Sequence, residues 1–220
     1  MRIDIWSDIV CPWCYVGKRR FERALAGFEH RDAVEIVHCS FQLDPVSPPG
    51  EVRNHRDNLM AKYGMTEAQA NAAQITMERT AADEGLEFRL VGGVTGNTFD
   101  AHRVLQLARE RGIQEAVIER LFRAHFTEQR SIFEHGSLTT LAVEAGLDAD
   151  EVTRVLASDA YADDVKADNE QAREFGATGV PLFVIDDRLG VSGAQPSEVF
   201  ADALSRAWAE RPLKPSSTGP

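Results

Sequence analysis

The sequence predicts an α/β fold in which one small sheet is assembled from both ends of the chain, with a long helical segment between them. Three observations predict it. Residues 1–41 read as strand, helix and strand, residues 177–210 read as strand, strand and helix, and the signals in between are almost all helical. Because each end holds too few strands to be stable alone, we expect the two ends to pair into one sheet.

The first part of the chain alternates between strand and helix patterns. Arg2–Trp6 alternates as a short strand. Pro12 fits the first turn of a helix, where its missing N–H costs nothing. Val34–Phe41 is β-branched and apolar, which predicts a second strand. The turn-rich stretch Leu43–Gly50 then ends the β–α–β unit.

Residues 52–176 carry successive helix signals. Thr66–Gln69 is a capping box before an alanine-rich helix that ends near Gly85. Asn97 or Thr98 caps the following helix. Further helices are predicted over Ile113–Phe126, over Ser137–Ala145, from Asp148 with Glu151, and over Asp159–Phe175. The segment therefore predicts an all-helical lobe, without a repeat period.

The last part of the chain returns to β character. Pro181–Ile185 and Arg188–Ser192 predict two strands joined by a tight turn, and Pro196–Ala209 predicts a closing helix. The tail RPLKPSSTGP is rich in proline and serine, which predicts disorder. We divide the chain into a discontinuous sheet domain (1–50 and 177–210), a helical insertion domain (51–176) and a disordered tail (211–220).

The overall charge and the apolar pattern exclude several classes of partner. The formal net charge is -11 and the pI is about 5.0, so the surface repels phosphate backbones and nucleic acid is not an expected partner. No apolar run is long enough to cross a bilayer, so no membrane is expected either. No signal peptide is visible, and we expect a cytoplasmic protein.

Two cysteines lie at the predicted start of the first helix, in the stretch SDIVCPWCYVG. The N-terminus of a helix stabilises a thiolate at Cys11, and a thiolate is the attacking species in disulfide exchange. Cys14 lies one turn further in, where it can attack the Cys11 sulfur and release a substrate. Pro12 removes a backbone donor near that sulfur. Trp13 offers a flat apolar surface to a substrate, or is an ordinary partly buried indole.

Zinc binding is the main alternative interpretation of the Cys11–Cys14 pair. Four-coordinate zinc needs two ligands beyond Cys11 and Cys14. His38 and Cys39 are neighbours on a predicted strand, so their side chains point to opposite faces and cannot both bind. We expect no metal. Cys39 is expected to be a small buried strand residue, and a third exchanging thiol is the alternative.

A second motif precedes the third strand of the sheet. In the stretch Thr178–Pro181, a proline follows a glycine-containing loop and directly precedes a strand. This makes the Val180–Pro181 bond a candidate cis peptide, which the sequence alone does not establish. Its use would be to leave the N–H and C=O groups of Val180 free to pair with an extended substrate.

Together these motifs resemble the DsbA-like branch of the thioredoxin superfamily. The stretches CPWCYVG, NTFDAHR, ATGVPLFVI and VSGAQP are similar to the cytoplasmic FrnE-like group of that branch, from about Ile3 to Ala209. The resemblance implies a thioredoxin fold with a large all-helical insertion. It also implies Cys11 as the nucleophile, Cys14 as the resolving thiol and Pro181 as the cis-proline.

The resemblance implies a thiol–disulfide oxidoreductase whose redox-active group is the Cys11–Cys14 disulfide. The cytosol keeps such pairs mostly reduced, so reduction or isomerisation is the expected direction. The expected partners are a disulfide-containing protein or a small thiol or disulfide, and a low-molecular-weight thiol could serve as co-substrate. No other cofactor is expected. The long insertion could offer a dimer surface.

Two alternatives remain open at this point. The kappa-class glutathione transferases and 2-hydroxychromene-2-carboxylate isomerases share the architecture, with serine in place of Cys11. In that reading Asn97 and His102 line a pocket for a thiol cofactor or substrate. The competing reading is that Asn97 caps a helix and His102 packs against the sheet. The other alternative is a non-catalytic module that binds peptides in the groove between the two lobes.

Overall fold

The computed structural model describes residues 1–211. The predicted disordered tail therefore lies outside the described residues, except for Arg211, whose side chain donates to Asp186 Oδ2 at 3.0 Å. In chain order the elements are β1 (Arg2–Ser7), α1 (Pro12–Ala26), β2 (Glu35–Ser40), β3 (Val52–Asn54), α2 (His55–Tyr63), α3 (Glu67–Asp83), β4 (Val94–Gly96), α4 (Phe99–Glu110), α5 (Gln114–Phe126), α6 (His135–Glu144), α7 (Ala149–Leu156), α8 (Ala162–Glu174), β5 (Leu182–Ile185), β6 (Leu189–Ser192) and α9 (Ser197–Ala209).

The two ends of the chain form one sheet, as the sequence predicts. Its strand order is β2-β1-β5-β6. β1 and β2 are parallel, whereas β5 runs antiparallel to both β1 and β6. Ile3 lies opposite Ile185, and Trp6 lies opposite Leu182. These pairs join strands that are far apart in sequence, so neither end of the chain completes the sheet alone.

Helices cover both faces of the sheet, which explains why β1 is buried along almost its whole length. Ile3 and Ile5 belong to the apolar cluster that β1 forms with α1 and α9. Trp6 points to the other face and packs with Ala172 of α8. Alternation along the strand therefore supplies two different cores.

The insertion is helical, but the prediction that it is all-helical is wrong at one place. β3 and β4 form a two-stranded antiparallel ribbon in which Val52 lies opposite Gly96. A Cβ atom on Gly96 would lie 2.7 Å from the Glu51 carbonyl oxygen, so the ribbon requires a glycine there. Strands of three residues are too short to leave a periodic pattern in the sequence, which is why they were not predicted.

The helix caps that the sequence predicts are partly observed. Thr66 Oγ1 accepts the N–H of Gln69 at 3.3 Å, and the Gln69 side chain accepts the N–H of Thr66 at 2.9 Å, which confirms the capping box of α3. Thr98 is the N-cap of α4 but makes no side-chain cap. Instead, Asn97 Oδ1 accepts the N–H of Phe99 at 2.8 Å. The start of α4 is therefore stabilised by the residue before the cap.

Side chains of the insertion close the outer edge of β2. Gln114 Oε1 accepts the His38 N–H at 2.9 Å, and Gln114 Nε2 donates to the His38 carbonyl at 2.7 Å. Asp168 accepts the next outward N–H, that of Ser40, at 2.7 Å. Three outward backbone groups of this edge strand are thus paired by side chains from α5 and α8 rather than by another strand.

The long helices of the described part are not membrane spans. Within residues 1–211, every helix is either too short or too polar to cross a bilayer.

Candidate active site

The two cysteines of the CPWC stretch lie on the turn that joins β1 to α1 and on the first turn of that helix. Cys11 is the N-cap of α1 and has extended backbone angles, with Pro12 at the first helical position. The Cys11 N–H donates to the Asp8 carbonyl at 3.0 Å, which holds the turn. Cys11 and Cys14 are only 5% and 2% exposed and are not disulfide-bonded. They are packed beneath the insertion, in the same apolar cluster as its helices.

The loop before β5 closes over Cys11. The Cys11 thiol donates to the Val180 carbonyl oxygen, with 3.6 Å between sulfur and oxygen. The Val180–Pro181 peptide bond is cis. A Cβ atom on Gly17 would lie 2.9 Å from Pro181 Cγ, so the glycine of the CPWCYVG stretch allows this loop to approach α1. Both predicted motifs therefore meet at one place.

The Cys14 thiol is held in its protonated form. Burial, together with a hydrogen bond and the charge of the neighbouring Cys11, raises the pKa of Cys14 well above its usual value. Cys14 is therefore a protonated, enclosed thiol while Cys11 is reduced. Trp13, between them in sequence, is 46% exposed and lies at the surface beside Cys11.

A cavity of about 1120 Å³ opens next to Cys11, between the start of α1, the loop before β5 and the ribbon and helices of the insertion. Its volume slightly exceeds the usual range of small-molecule sites, roughly 300–1,000 Å³, so a small molecule fits there. Three of the six residues predicted to contact substrate line it, namely Pro12, Trp13 and Val180, and so does the nucleophile candidate Cys11. Among the polar residues of the wall are Asp44, Arg53, His55, Lys62 and Gln74.

The structure does not bring Asn97 and His102 to the wall of this cavity. Asn97 Nδ2 donates to the Ser47 carbonyl at 2.5 Å, which ties the loop after β2 to the start of α4. His102 is 1% exposed and is enclosed between α4 and the turn after β1. Neither residue lines the cavity: Asn97 contacts the loop after β2, and His102 lies beside Asp8 in the turn after β1.

Asp8, which belongs to neither of the two predicted motifs, is buried under the turn that carries Cys11. Its Oδ2 accepts the Leu43 N–H at 2.8 Å. Its Oδ1 lies 3.5 Å from His102 Nε2, and neither atom has a hydrogen bond within residues 1–211. A carboxylate three residues before Cys11, at the end of a buried strand, is the signal that could have found it. Asp8 and His102 form a buried polar pair beneath the candidate site.

Cys39 lies away from the other two cysteines. It is buried on the face of the sheet that packs with Trp6 and Ala172. Burial, with the charges of Asp168 and Asp4, raises its pKa far above the usual value for a thiol. This is the small buried strand residue that we expected. Among the described residues, no three histidine, cysteine or carboxylate side chains converge on a point where a metal could bind.

Two histidines near the cavity are kept neutral by their surroundings. Burial lowers the pKa of His55. Burial, and then the charge of His55, lowers the pKa of His125 to about 4. The His125 ring packs edge-on against Phe126 and Phe133.

We expect His125 to make the protein less stable in acid. Its folded pKa of about 4 lies below the unfolded value of about 6.5, so its contribution is fully present above pH 6.5 and is lost as the pH falls toward 4. That difference corresponds to about 3 kcal/mol of unfolding free energy. Urea unfolding between pH 4 and 7 should show a shallower pH dependence for His125→Phe than for the wild type. Equal slopes in the two proteins would contradict the prediction.

Comparison with known proteins places these features in a family. The family model described as a DSBA-like thioredoxin domain matches residues 2–205. The crystal structure of the probable DsbA oxidoreductase SCO1869 from Streptomyces coelicolor superposes with a TM-score of 0.94 and is 55% identical, over 97% of this chain and 93% of that one. The protein YwbO of Bacillus subtilis (strain 168), which is uncharacterised, is 30% identical over 93% of this chain and 96% of its own length.

More distant structures share the fold. The cytosolic disulfide reductase DsbM from Pseudomonas aeruginosa has a TM-score of 0.65 at 18% identity, over 95% of this chain and 100% of that one. A 2-hydroxychromene-2-carboxylate isomerase has a TM-score of 0.71 at 14% identity, over 96% of this chain and 97% of that one. The predicted thioredoxin fold with a helical insertion is confirmed, and the chain belongs to the DSBA-like thioredoxin domain family.

Proposed function

We propose that this protein is a thiol–disulfide oxidoreductase that exchanges disulfides through Cys11 and Cys14. The observation that carries the proposal is the placement of the two thiols on one helical turn. Cys11 lines a cavity beside Val180, and Cys14 is enclosed behind it. Two thiols so placed can act in sequence on one substrate disulfide.

In the first step, the Cys11 thiolate attacks one sulfur of the substrate disulfide. The substrate S–S bond breaks, a bond forms between Cys11 and one substrate half, and the other half leaves as a thiolate. Cys11 lies at the N-terminal end of α1, the end at which the dipole of a helix attracts negative charge. As a thiol, Cys11 is held by the Val180 carbonyl, and this hydrogen bond is given up on ionisation.

In the second step, Cys14 attacks the Cys11 sulfur of the mixed disulfide. Cys14 gives up its proton as it attacks, and the second substrate half takes up a proton and leaves as a thiol. The Cys11–Cys14 disulfide forms, so the substrate gains two electrons and the protein loses two. The high pKa of Cys14 keeps it protonated until this step. Two equivalents of a low-molecular-weight thiol, or one of a dithiol, would restore the reduced pair.

Four of the other predicted site residues have substrate-binding roles in this proposal. Val180 offers backbone hydrogen bonds beside the nucleophile, and Pro181 fixes the shape of that loop. Pro12 and Trp13 form the apolar wall next to Cys11, of which Trp13 is the exposed part.

We infer that the protein acts in the reducing direction and in the cytoplasm. The cytosol keeps such thiol pairs mostly reduced. The fold is shared with a cytosolic disulfide reductase, DsbM, a structure of which is described with GSH. A low-molecular-weight thiol is accordingly the reductant that we propose.

The redox potential of the Cys11–Cys14 pair tests this function. We expect a reversible disulfide with a potential near thioredoxin's value of about −270 mV and well below DsbA's value of about −120 mV. Equilibration with defined thiol–disulfide buffers, followed by thiol counting, gives the value. Cys39→Ala should leave it unchanged, because Cys39 is buried apart from the pair. Failure to form a reversible disulfide would remove the proposal, and a potential near DsbA's would reverse the direction.

A second candidate is an isomerase or transferase that uses a thiol cofactor on a small aromatic compound. The size of the cavity beside Cys11 favours it, since a small molecule fits there. It differs from the first proposal in having no need for Cys14. Turnover of a small aromatic substrate that survives Cys14→Ala would support it.

A further inference from the structure

His55 is the imidazole in the wall of the cavity that Cys11 also lines. It is the first residue of α2, directly after the ribbon strand β3. Its N–H donates to the Gly93 carbonyl at 2.9 Å, and the preceding Asn54 caps α2 by accepting the Arg56 N–H at 2.9 Å. The backbone that carries the imidazole is therefore held at both the ribbon and the helix.

Gln74 of α3 fixes the tautomer of this imidazole. Gln74 is 2% exposed, and its Nε2 donates to the Leu90 carbonyl at 3.0 Å. A carbonyl can only accept, so the Gln74 amide must direct its NH₂ group to that side. The same Nε2 lies 3.1 Å from His55 Nδ1. Nδ1 is therefore the acceptor, and the ring proton is on Nε2.

The Nε2–H of His55 is an unused donor. It has no hydrogen-bond partner within residues 1–211, and it is not among their enclosed, unpaired polar atoms. Burial lowers the pKa of His55, so the ring is neutral at pH 7 and presents one N–H group. A neutral donor of this kind recognises an oxygen acceptor without changing the charge of the cavity.

The charges around His55 favour an anionic ligand. The cavity wall contains Arg53, Asp44 and Lys62. Arg53 pairs with Asp44, whereas the Lys62 ammonium makes no ion pair among the described residues and lies 5.7 Å from the ring of Tyr63. The chain carries a formal net charge of -11, so most of its surface repels carboxylates. The wall of the cavity differs from this acidic surface, because its one charge without an ion pair among the described residues is the positive charge of Lys62.

We propose that His55 is a substrate-binding residue whose Nε2–H donates to a carboxylate oxygen of a small, carboxylate-bearing disulfide that reacts at Cys11. Gln74 is its positioning residue, because it holds the ring in the donating tautomer. The inference rests on the proposed disulfide exchange and adds the class of substrate. In this proposal, residues of the insertion select the substrate, and the thiols at the start of α1 react with it.

Two disulfides of similar size test the proposal on the full-length protein. 3,3′-Dithiodipropionate carries carboxylates, whereas cystamine carries ammonium groups and offers no such acceptor. For His55→Phe, we expect KM for dithiodipropionate to rise on the order of tenfold with little change in kcat, because one hydrogen bond to a charged group is lost. Cystamine should react within about twofold of the wild type. His55→Gln keeps an N–H donor near the Nε2 position and should restore most of the binding.

The controls separate this inference from the function on which it rests. Gln74→Leu should raise KM for dithiodipropionate as well, because the tautomer is no longer fixed. His135→Phe, outside the cavity, should change neither substrate. An equal loss on both disulfides, or no loss on either, would overturn the role of His55. Absence of exchange by the wild type, or exchange that persists in Cys11→Ser, would instead overturn the proposed function.

Discussion

Replacement of Cys11 by serine is expected to reduce disulfide exchange by at least about 10³-fold, the scale on which covalent catalysts fail when their nucleophile is removed. Serine has nearly the same size, so the turn held by the Cys11 N–H and the Asp8 carbonyl should persist. The hydroxyl, however, is a poor nucleophile toward sulfur at neutral pH. Rates with 2-hydroxyethyl disulfide and a thiol-coupled assay measure the loss.

Cys14→Ser should fail at a different step. The variant can form the mixed disulfide at Cys11 but cannot release it through its own thiol, so a covalent adduct accumulates. Mass spectrometry detects that adduct as one substrate half added per chain. Cys39→Ser serves as the matched control, with wild-type rates and no adduct. Full turnover by Cys14→Ser would contradict the two-thiol mechanism and favour a reaction that needs Cys11 alone.

The second large effect concerns Arg103, in the same NTFDAHR stretch as Asn97 and His102. Its guanidinium is buried and donates to the carbonyls of Val155, Ser158 and Ala160, the last at 2.8 Å. It also pairs with Asp100 at 2.8 Å. One side chain thus satisfies the C-terminal carbonyls of α7 and the connection to α8.

We expect Arg103→Met to lower the free energy of unfolding by about 3–5 kcal/mol, because three carbonyls and a carboxylate lose a buried charged partner. Methionine keeps most of the apolar stem, so the loss reports the guanidinium. Urea unfolding at pH 7 measures it. Arg154→Met, on the exposed side of α7, should cost less than about 0.5 kcal/mol. Similar losses for the two variants would show that Arg103 is not the anchor of this connection.

The sequence predicted the parts of the fold that leave a periodic or local chemical signal. The capping box at Thr66 and the alternation in β1 are such signals, and both predict elements that the structure contains. The ribbon of β3 and β4 leaves none, because three residues do not complete a pattern. The division of the chain into domains remains a prediction.

The candidate site was predictable where residue type and position act together. Cys11 and Cys14 are recognisable from their spacing at a helix start, and Pro181 from its place before a strand. His55 is not, since its partner Gln74 is distant in sequence and its tautomer depends on the Leu90 carbonyl. The sequence also offered His102 as a pocket residue, but in the structure it is buried beside Asp8. The burial of a single histidine leaves no pattern in the sequence.

The closed edge of β2 has a consequence for how this protein behaves at high concentration. A strand from another molecule could join the sheet there only by displacing Gln114 from His38 and Asp168 from Ser40. Displacement would break three buried hydrogen bonds of a carboxamide and a carboxylate, at a cost comparable to the bonds gained. The insertion therefore also acts as a guard against intermolecular strand pairing at this edge, the route by which unprotected sheets aggregate. If two molecules pair through this sheet, we expect them to do so at its other edge strand, β6.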